Sequence, residues 1–336
     1  MKKEPRNKKA VLYIAMANQF YLWQKLLSRS GLRKSEKIPV IIDDNPDLSY
    51  ERNRWSSIYR LPLMWILALW VALKKKFLGP NLKINTYWVD GASLICREIK
   101  EKATTWRALE LIYNHRFGQK KDLDGKIADF WLKMLNAQAV RNRLKLVKQM
   151  LREEIEKISQ TKSEIRLLSI ASGSAQGVIE IMQEFKQKGI IVRAIFLDLD
   201  LTAIEYSRKL SQKANVMEQI IFINKSVREL EETVKGFNPN IIEIVGFLEY
   251  RSKEKAIELV TRAYHLLTPN GVLLTSNINY NPEILFFYWV VDWQMIYRTP
   301  RELFGILVKG LFNSKNCKII CEPLKIYSLA ICKKSI

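Results

Sequence analysis

Apolar residues form a strand–helix–strand pattern between residues 165 and 198. The run IRLLSI, residues 165–170, is almost continuously apolar, and a second apolar run, IIVRAIFL, covers residues 190–197. Between them, residues 178–188 show the three- and four-residue spacing of an amphipathic helix. Short strands that alternate with such helices are typical of parallel sheets with helices on their faces. The pattern therefore predicts a βαβ unit whose second strand ends at Asp198.

The alternation continues to the carboxyl terminus and predicts a larger α/β sheet over residues 160–336. The remaining predicted elements are, in order, a strand end and loop at 222–230, a strand within 240–250, a helix at 254–267, a turn at 268–271, a strand at 272–276, and β-rich runs at 317–322 and 326–332. No internal repeat or low-complexity segment interrupts this series. We therefore expect one sheet domain in the second half of the chain.

Residues 1–159 predict a mainly helical region, because their apolar positions recur at helical spacing. The last predicted helix, at residues 136–159, carries Leu144, Val147 and Leu151 on one apolar stripe. Helices are also predicted at residues 11–27, 61–73, 104–115 and 126–135, and a short strand-like run at residues 40–42. The sequence thus divides into a basic, helical region, residues 1–159, and a sheet domain, residues 160–336.

The segment LPLMWILALWVAL, residues 61–73, contains no charge and is followed by Lys74, Lys75 and Lys76. A bilayer span needs about 20 apolar residues, so these 13 are too few to cross a membrane. Trp65, Trp70 and the lysines would suit a helix lying in a membrane interface. Burial against the sheet domain explains the pattern as well, and we favour burial.

The positive charge is unevenly distributed along the chain. Residues 1–160 hold 32 Lys and Arg against 16 Asp and Glu, whereas residues 161–336 hold 23 against 18. A basic surface can attract nucleic acid or an anionic membrane. It can also be basic without binding any specific partner. The four cysteines (Cys96, Cys317, Cys321 and Cys332) indicate reduced, buried thiols, and the basic start of the chain shows no convincing cleavage site. We expect a cytoplasmic protein, with peripheral membrane contact as an alternative, and make no prediction of its oligomeric state.

The turn after the first strand predicts a nucleotide-type ligand. It is built from small residues, Ala171–Gly177, which let a ligand approach the backbone. Asp198, at the end of the next strand, can accept hydrogen bonds from both hydroxyls of a ribose. The dinucleotide fingerprint G-x-G-x-x-G is absent, because its third glycine is missing.

This turn resembles motif I of the class I S-adenosylmethionine-dependent methyltransferases, an acid followed by G-x-G-x-G. Ser169 occupies the position of the acid, and alanines occupy the positions of the first and third glycines. Gly173 is retained at the position of the second glycine. The resemblance covers about residues 160–336 and includes the loop at Ser226, the strand end at Gly246 and the turn at 268–271. It implies a Rossmann-like seven-stranded sheet, parallel with one antiparallel strand, beside the helical N-terminal region.

The resemblance also implies a cofactor and a set of residues that bind it. The cofactor is S-adenosylmethionine, with S-adenosylhomocysteine as product, and no metal is implied. The implied cofactor-binding residues are Ser169, Ala171, Ser172, Gly173, Ala175, Asp198, Leu199, Ser226, Val227, Gly246 and Arg141. Arg141 is included because an arginine can pair with the carboxylate of the methionine part, and Arg143 is an alternative for that contact.

The acceptor site is expected where the carboxyl ends of the later strands meet. Glu249 and Tyr250 are candidates for a base or for orienting a hydroxyl. The aromatic segment 281–303 follows the fifth strand of the resembled sheet, at the place where members of this family build specificity. The predicted acceptor-binding residues are Tyr280, Tyr288, Trp289, Asp292, Trp293, Tyr297 and Arg298.

These observations predict a methyltransferase acting on a small, apolar or lipid-like molecule. Methylation of RNA through the basic N-terminal half is a second hypothesis, and transfer of an aminopropyl or aminocarboxypropyl group on the same fold is a third. A non-catalytic binding protein on a decayed fold is a fourth, suggested by Ser169, Ala171, Ala175 and Ser226.

Overall fold

An eight-stranded sheet is the central element of the protein. The computed structural model describes residues 38–335 except 39, 80 and 81, so the helix predicted at residues 11–27 lies outside the described residues. The described residues form one compact unit. The predicted division at residue 159 stays a prediction; in the structure this residue ends the last helix before the α/β part.

The strand order is β1-β7-β8-β6-β5-β2-β3-β4, and β8 is antiparallel to both of its neighbours while all other pairs are parallel. The strands are β1 (Val40–Ile42), β2 (Glu164–Ile170), β3 (Ile191–Asp198), β4 (Ile220–Asn224), β5 (Ile241–Ile244), β6 (Val272–Ile278), β7 (Cys317–Cys321) and β8 (Tyr327–Lys333). The seven strands β2 to β8 confirm the predicted sheet with its single antiparallel strand. The short β1 adds an eighth strand at the edge beside β7.

Helices cover both faces of this sheet. In the N-terminal region they are α1 (Trp55–Ile58), α2 (Leu61–Leu78), α3 (Leu94–Glu101), α4 (Trp106–Tyr113), α5 (Leu123–Leu132) and α6 (Leu135–Ser159). Those that follow are α7 (Gln176–Gln187), α8 (Leu201–Lys213), α9 (Leu230–Thr233), α10 (Lys253–Leu266), α11 (Ile284–Trp289) and α12 (Pro300–Lys309). The predicted helical character of the N-terminal region therefore holds for its described residues.

Two hydrophobic clusters, one on each face of the sheet, hold these layers together. Along β2, Ile165 and Leu167 belong to one cluster, whereas Leu168 and Ile170 belong to the other. This alternation follows from the two-residue period of a strand, and burial on both faces explains why the segment reads as a continuous apolar run. The carboxyl ends of the parallel strands β2, β3 and β5 therefore meet at one edge.

Cys317 and Cys332 correct the prediction of four free thiols. They lie directly opposite each other on β7 and β8 and form a disulfide, with their Cα atoms 4.2 Å apart. Cys96 and Cys321 are free and buried, as expected. The pairing depends on the register between two strands, which residue spacing alone does not reveal.

Helix α2 corrects the preferred interpretation of the apolar segment at residues 61–73. Only a narrow line of its side chains, Met64, Ala68 and Val71, is buried. Most of the large apolar side chains elsewhere on the helix are exposed. Within the described residues, none of the helices has both the length and the apolar character that crossing a membrane requires.

Candidate functional site

A cavity of about 470 Å³ lies at the edge where β2, β3 and β5 end. Its volume falls within the range of small-molecule sites, about 300–1,000 Å³. Its walls come from the β2–α7 turn, the ends of β3 and β5, and side chains of α4 and α6. An open α/β sheet binds ligands at this edge, so the cavity is the candidate site.

The β2–α7 turn has the backbone shape of a glycine-rich loop, although two of its positions are alanine. Ala171, Gly173 and Ala175 have φ values of 54°, 56° and 51°, all in the left-handed region. That conformation costs an L-residue about 1 kcal/mol, so the loop keeps its shape against local strain at both alanines. At Gly173 an added Cβ would lie 3.2 Å from Cβ of Trp106, so the backbone there is closely covered.

Asp198 ties this turn to the end of β3. Its Oδ2 accepts a hydrogen bond from the backbone N–H of Gly173, and its Oδ1 accepts one from Asp200, both at 2.8 Å. Burial raises the pKa of Asp198, and these backbone hydrogen bonds oppose the rise. Each carboxylate oxygen keeps a further lone pair, so Asp198 can still accept hydrogen bonds from a ligand in the cavity.

A second buried carboxyl group, that of Glu243, lines the cavity beside β2. Glu243 is the register partner of Ser169 on the neighbouring strand, and Ser169 Oγ donates to its Oε2 at 2.5 Å. Its Oε1 accepts from the backbone N–H of Val245 at 3.0 Å. Burial raises the pKa of Glu243 to about 7, against these hydrogen bonds and the charge of Arg143.

Arg143 brings a buried cation to the same cavity. Its Nη2 donates to the hydroxyl of Tyr113 at 2.8 Å, and its Nη1 lies 3.5 Å from Oε1 of Glu249. Both partners of this ion pair have side chains only 2% exposed. Arg143 Nε and Glu249 Oε2 have no hydrogen-bond partner in the structure. The pair is therefore incompletely satisfied, and of its two members Arg143 lines the cavity, where it can receive a polar ligand.

Helix α4 closes the cavity over the β2–α7 turn. Trp106 stacks on Tyr206, with ring centroids 4.6 Å apart, and its Nε1 donates to Thr202 Oγ1 at 3.0 Å. The Tyr206 hydroxyl in turn donates to the Glu110 carboxylate. These contacts hold α4 against α8, so that α4 stays in place over the β2–α7 turn.

The model of a family described as "Putative methyltransferase" matches residues 73–301, which is more than half of the chain. The chain belongs to this methyltransferase family. No curated protein matches the sequence. The class predicted from the sequence, a methyltransferase, is confirmed, and the predicted cofactor, S-adenosylmethionine, agrees with it.

Solved structures share the fold of this methyltransferase. A "possible exported protein" from Bordetella parapertussis is 15% identical with a TM-score of 0.60, over 82% of this chain and 96% of that one. Magnesium protoporphyrin IX methyltransferase from Synechocystis PCC 6803, solved with bound S-adenosylhomocysteine, is 10% identical with a TM-score of 0.51, over 71% of this chain and 98% of that one. The methyltransferase fold predicted from the sequence is thereby confirmed.

The structure brings together six of the eleven residues predicted to bind the cofactor. Those that line the cavity are Ala171, Ser172, Gly173, Ala175, Asp198 and Gly246. Ser169 lies behind the wall and hydrogen-bonds Glu243. Arg141 points elsewhere: it forms a bidentate pair with Glu51, and Arg143 lines the cavity instead.

Three other predicted cofactor-binding residues lie outside the cavity wall. Leu199 is 72% exposed at the start of the β3–α8 connection. Ser226 caps a short turn of 3₁₀ helix that begins at Val227, accepting a hydrogen bond from the backbone of Arg228. These positions flank the cavity at the ends of β3 and β4.

The two predicted catalytic residues have different surroundings. Tyr250 lines the cavity, and its hydroxyl accepts a hydrogen bond from Trp293 Nε1 at 2.8 Å. Burial raises the pKa of Tyr250 well above its usual value, so its hydroxyl keeps its proton at neutral pH. Glu249 is fully buried behind the wall in its ion pair with Arg143.

None of the predicted acceptor-binding residues lines this cavity. Asp292 forms an ion pair with Lys75 at 3.3 Å, and Arg298 donates to the backbone carbonyl oxygens of Leu248 and Arg251. The others pack as aromatic neighbours: Tyr280 lies beside Tyr297, Tyr288 beside Trp289, and Trp293 beside Phe287. Through its bond to Tyr250, Trp293 supports the cavity wall from behind.

Sequence reasoning missed Glu243, Trp106 and Tyr113. A signal existed for Glu243, because it is the one charged residue within the apolar run IIEIV, residues 241–245. A charge inside a buried strand has to be paired or functional. No comparable signal marked Trp106 or Tyr113, which reach the cavity only because α4 packs across the turn. Among the described residues, no cluster of three or more His, Cys, Asp or Glu is arranged to hold a metal ion.

Glu243 makes the stability of the methyltransferase depend on pH. Its pKa is raised from 4.5 to about 7 on folding, so the folded state takes up a proton. The stability due to the protonated group is fully present below pH 4.5 and is lost as the pH rises through about 7. We expect the unfolding free energy of Glu243→Gln to gain about 3 kcal/mol relative to the wild type between pH 4 and pH 8.

Urea unfolding of both proteins across this range measures the effect. All other titrating groups cancel in the difference between them. Parallel pH profiles for the wild type and Glu243→Gln would contradict the assignment.

Proposed function

We propose that this methyltransferase transfers a methyl group from S-adenosylmethionine, by in-line displacement, to a small, apolar or amphipathic acceptor. The observation that carries the proposal is the cavity, in which Gly173 and Asp198 meet the opposite charges of Glu243 and Arg143. A ribose with two free hydroxyls and an amino acid with both charges are the two recognisable parts of this cofactor, and the residues present fit both.

Gly173 and Asp198 would hold the nucleoside part. The Asp198 carboxylate keeps free lone pairs towards the cavity, and hydroxyl-to-carboxylate hydrogen bonds are among the stronger ones. Gly173 lines the same cavity, and its backbone N–H fixes the Asp198 carboxylate in place for the ribose.

Glu243 and Arg143 would hold the methionine part. Ser169 stands where the resembled motif has an acid, and its hydroxyl hydrogen-bonds the carboxyl of Glu243 on the adjacent strand. Glu243 would thus supply, from the adjacent strand, the carboxyl group that the resembled motif has at position 169. An ammonium group beside Glu243 would favour its ionised form, and the guanidinium of Arg143 suits a carboxylate.

The chemistry favours an acceptor that is already a nucleophile. S-adenosylmethionine supplies an activated methyl group, so the protein mainly has to align the two reactants. Tyr250 is protonated at neutral pH and Glu249 is paired with Arg143, so neither is a ready base. Tyr250 is then placed to donate a hydrogen bond to the acceptor. A carboxylate acceptor, which has no proton to lose, satisfies these conditions.

We still propose that the aromatic segment after β6, residues 281–303, binds the methyl acceptor. Trp293 already contacts Tyr250 at the cavity wall. Tyr280, Tyr288, Trp289, Asp292, Tyr297 and Arg298 stay predicted acceptor-binding residues. A cytoplasmic location likewise stays a prediction.

Transfer of a labelled methyl group tests the proposal. Purified protein is incubated with S-adenosylmethionine labelled in its methyl group and with a cell extract depleted of that cofactor. We expect label in small molecules that partition into organic solvent, and none with Asp198→Asn. A methyl label remains on the sulfur during aminopropyl transfer, so that reaction gives no labelled acceptor. Label in a ribonuclease-sensitive precipitate would support the RNA hypothesis and contradict the proposal.

A further inference from the structure

The outward side of α2 presents a continuous apolar surface. We define the outer face of α2 as the exposed side chains of Trp65, Ile66, Leu69, Trp70, Leu73 and Phe77. Ile66 is 65% exposed and Phe77 is 78% exposed. A helix of a soluble domain normally turns such residues inwards and polar residues outwards. Large exposed apolar patches mark interaction surfaces.

This helix is firmly held by its opposite side. Met64, Ala68 and Val71 are buried, and α2 packs against α11. Trp65 Nε1 also donates to the carbonyl oxygen of Pro282 at 3.3 Å, and Lys75 pairs with Asp292. The outer face is therefore a fixed part of the folded domain.

The charges around the outer face favour an anionic partner. Lys74 and Lys76 are exposed at the carboxyl end of α2, and the Lys74 ammonium lies 3.9 Å from the ring centroid of Trp70. The apolar part of the helix carries no acidic residue. Tryptophan and lysine beside aliphatic side chains form the composition of helices that lie in a membrane interface. Anionic lipid headgroups attract such lysines.

We propose that the outer face of α2 docks the methyltransferase on an anionic lipid surface, with α2 lying in the plane of the headgroups. This inference goes beyond methyl transfer and does not depend on the cofactor assignment. A chain of contacts also links α2 to the cavity wall. Asp292 holds Lys75 of α2, and its neighbour Trp293 hydrogen-bonds Tyr250 in the cavity wall. An amphipathic acceptor held in the lipid would thus lie beside the segment that supports the site.

Sedimentation of the full chain with vesicles tests the proposal. We expect binding to phosphatidylcholine vesicles that contain phosphatidylglycerol, and weaker binding to phosphatidylcholine alone. Ile66→Gln, Leu69→Gln and Phe77→Gln together should weaken partitioning by about 100-fold or more, since each side chain loses an apolar contact with the interface. Lys74→Glu with Lys76→Glu should weaken it by at least about fivefold per lysine on anionic vesicles only.

Matched controls are available on the far edge of the sheet. Met217 and Ile221 are exposed apolar residues, and Lys209 and Lys213 are exposed lysines on α8. Met217→Gln with Ile221→Gln, and Lys209→Glu with Lys213→Glu, should bind vesicles like the wild type. S-adenosylhomocysteine binding should survive the triple α2 substitution, which separates this proposal from the cofactor assignment.

Three results would overturn the proposal. The first is no sedimentation of the wild type with anionic vesicles. The second is a dimer in light scattering that the triple substitution converts to a monomer, because the face would then bind a second copy. The third is an equal loss of vesicle binding in the controls, which would mean that general charge or hydrophobicity drives the association.

Discussion

Replacing Asp198 by asparagine should weaken S-adenosylhomocysteine binding by at least about 100-fold. Two hydrogen bonds from ribose hydroxyls to a carboxylate contribute about 1.5–3 kcal/mol each, and an amide lacks the charge and one acceptor. The folded protein should lose only about 1–3 kcal/mol, because one of the two backbone N–H groups then faces the asparagine NH2 and loses its acceptor. Burial raises the pKa of Asp198, so the fold already disfavours its charge, and asparagine can still accept one of the two backbone hydrogen bonds.

Titration calorimetry and thermal unfolding without ligand separate these two effects. Asp44→Asn is the matched control, because its side chain is 74% exposed. We expect a large loss of affinity in Asp198→Asn with a melting temperature only a few degrees lower. Affinity within about threefold of the wild type would remove Asp198 from the binding site.

Replacing Arg143 by methionine should produce the largest loss of stability. It leaves Glu249 as an uncompensated carboxylate whose side chain is only 2% exposed. Breaking a buried ion pair on one side costs about 3–5 kcal/mol, which corresponds to roughly 4–7 °C in melting temperature for a chain of this size. The loss should be smaller at pH 5 than at pH 8, because burial raises the pKa of Glu249 and the lone carboxyl group can take up a proton.

A double variant shows whether the pair itself matters for stability. Arg143→Met with Glu249→Met removes both charges, and apolar replacements of a buried pair are often neutral. We expect it to regain most of the stability lost in Arg143→Met. Arg193→Met, in an exposed pair with Glu164, is the surface control and should cost less than about 1 kcal/mol. A double variant as unstable as Arg143→Met would contradict the ion-pair explanation.

The sheet could be predicted from the sequence because its strands are buried on both faces. Runs such as residues 165–170 are then apolar throughout, and their order along the chain determines the parallel connections. The β2–α7 turn could also be predicted despite its alanines. Small residues between a strand and a helix indicate a close approach of ligand to backbone, whichever of them carries the left-handed conformation.

The choice between Arg141 and Arg143 could not be made from the sequence. Both arginines border the apolar stripe of α6, and the two lie on different sides of the helix. In the fold, Glu51 binds on the side of Arg141, whereas the cavity opens on the side of Arg143. Only the packing of distant segments decides which arginine faces the ligand.

The aromatic segment 281–303 illustrates a second limit. Its aromatic composition fits both a wall of the substrate site and packing against a neighbouring helix, so composition alone does not distinguish the two. In the structure, Phe286 stacks on Trp131 with centroids 4.8 Å apart, and α11 packs against α2. The segment thus supports α2, while the large apolar side chains of α2 face outwards. The sequence indicated that residues 61–73 form an apolar helix. Which side of this helix, α2, faces outwards depends on its contact with α11.

The position of S-adenosylhomocysteine in crystals of the wild-type protein tests the central claim most directly. The account predicts ligand density in the cavity at the ends of β2, β3 and β5, with the ribose hydroxyls within hydrogen-bond distance of Asp198 and the amino acid part beside Glu243 and Arg143. Density for the ligand at any other place, with this cavity left without it, would contradict the account.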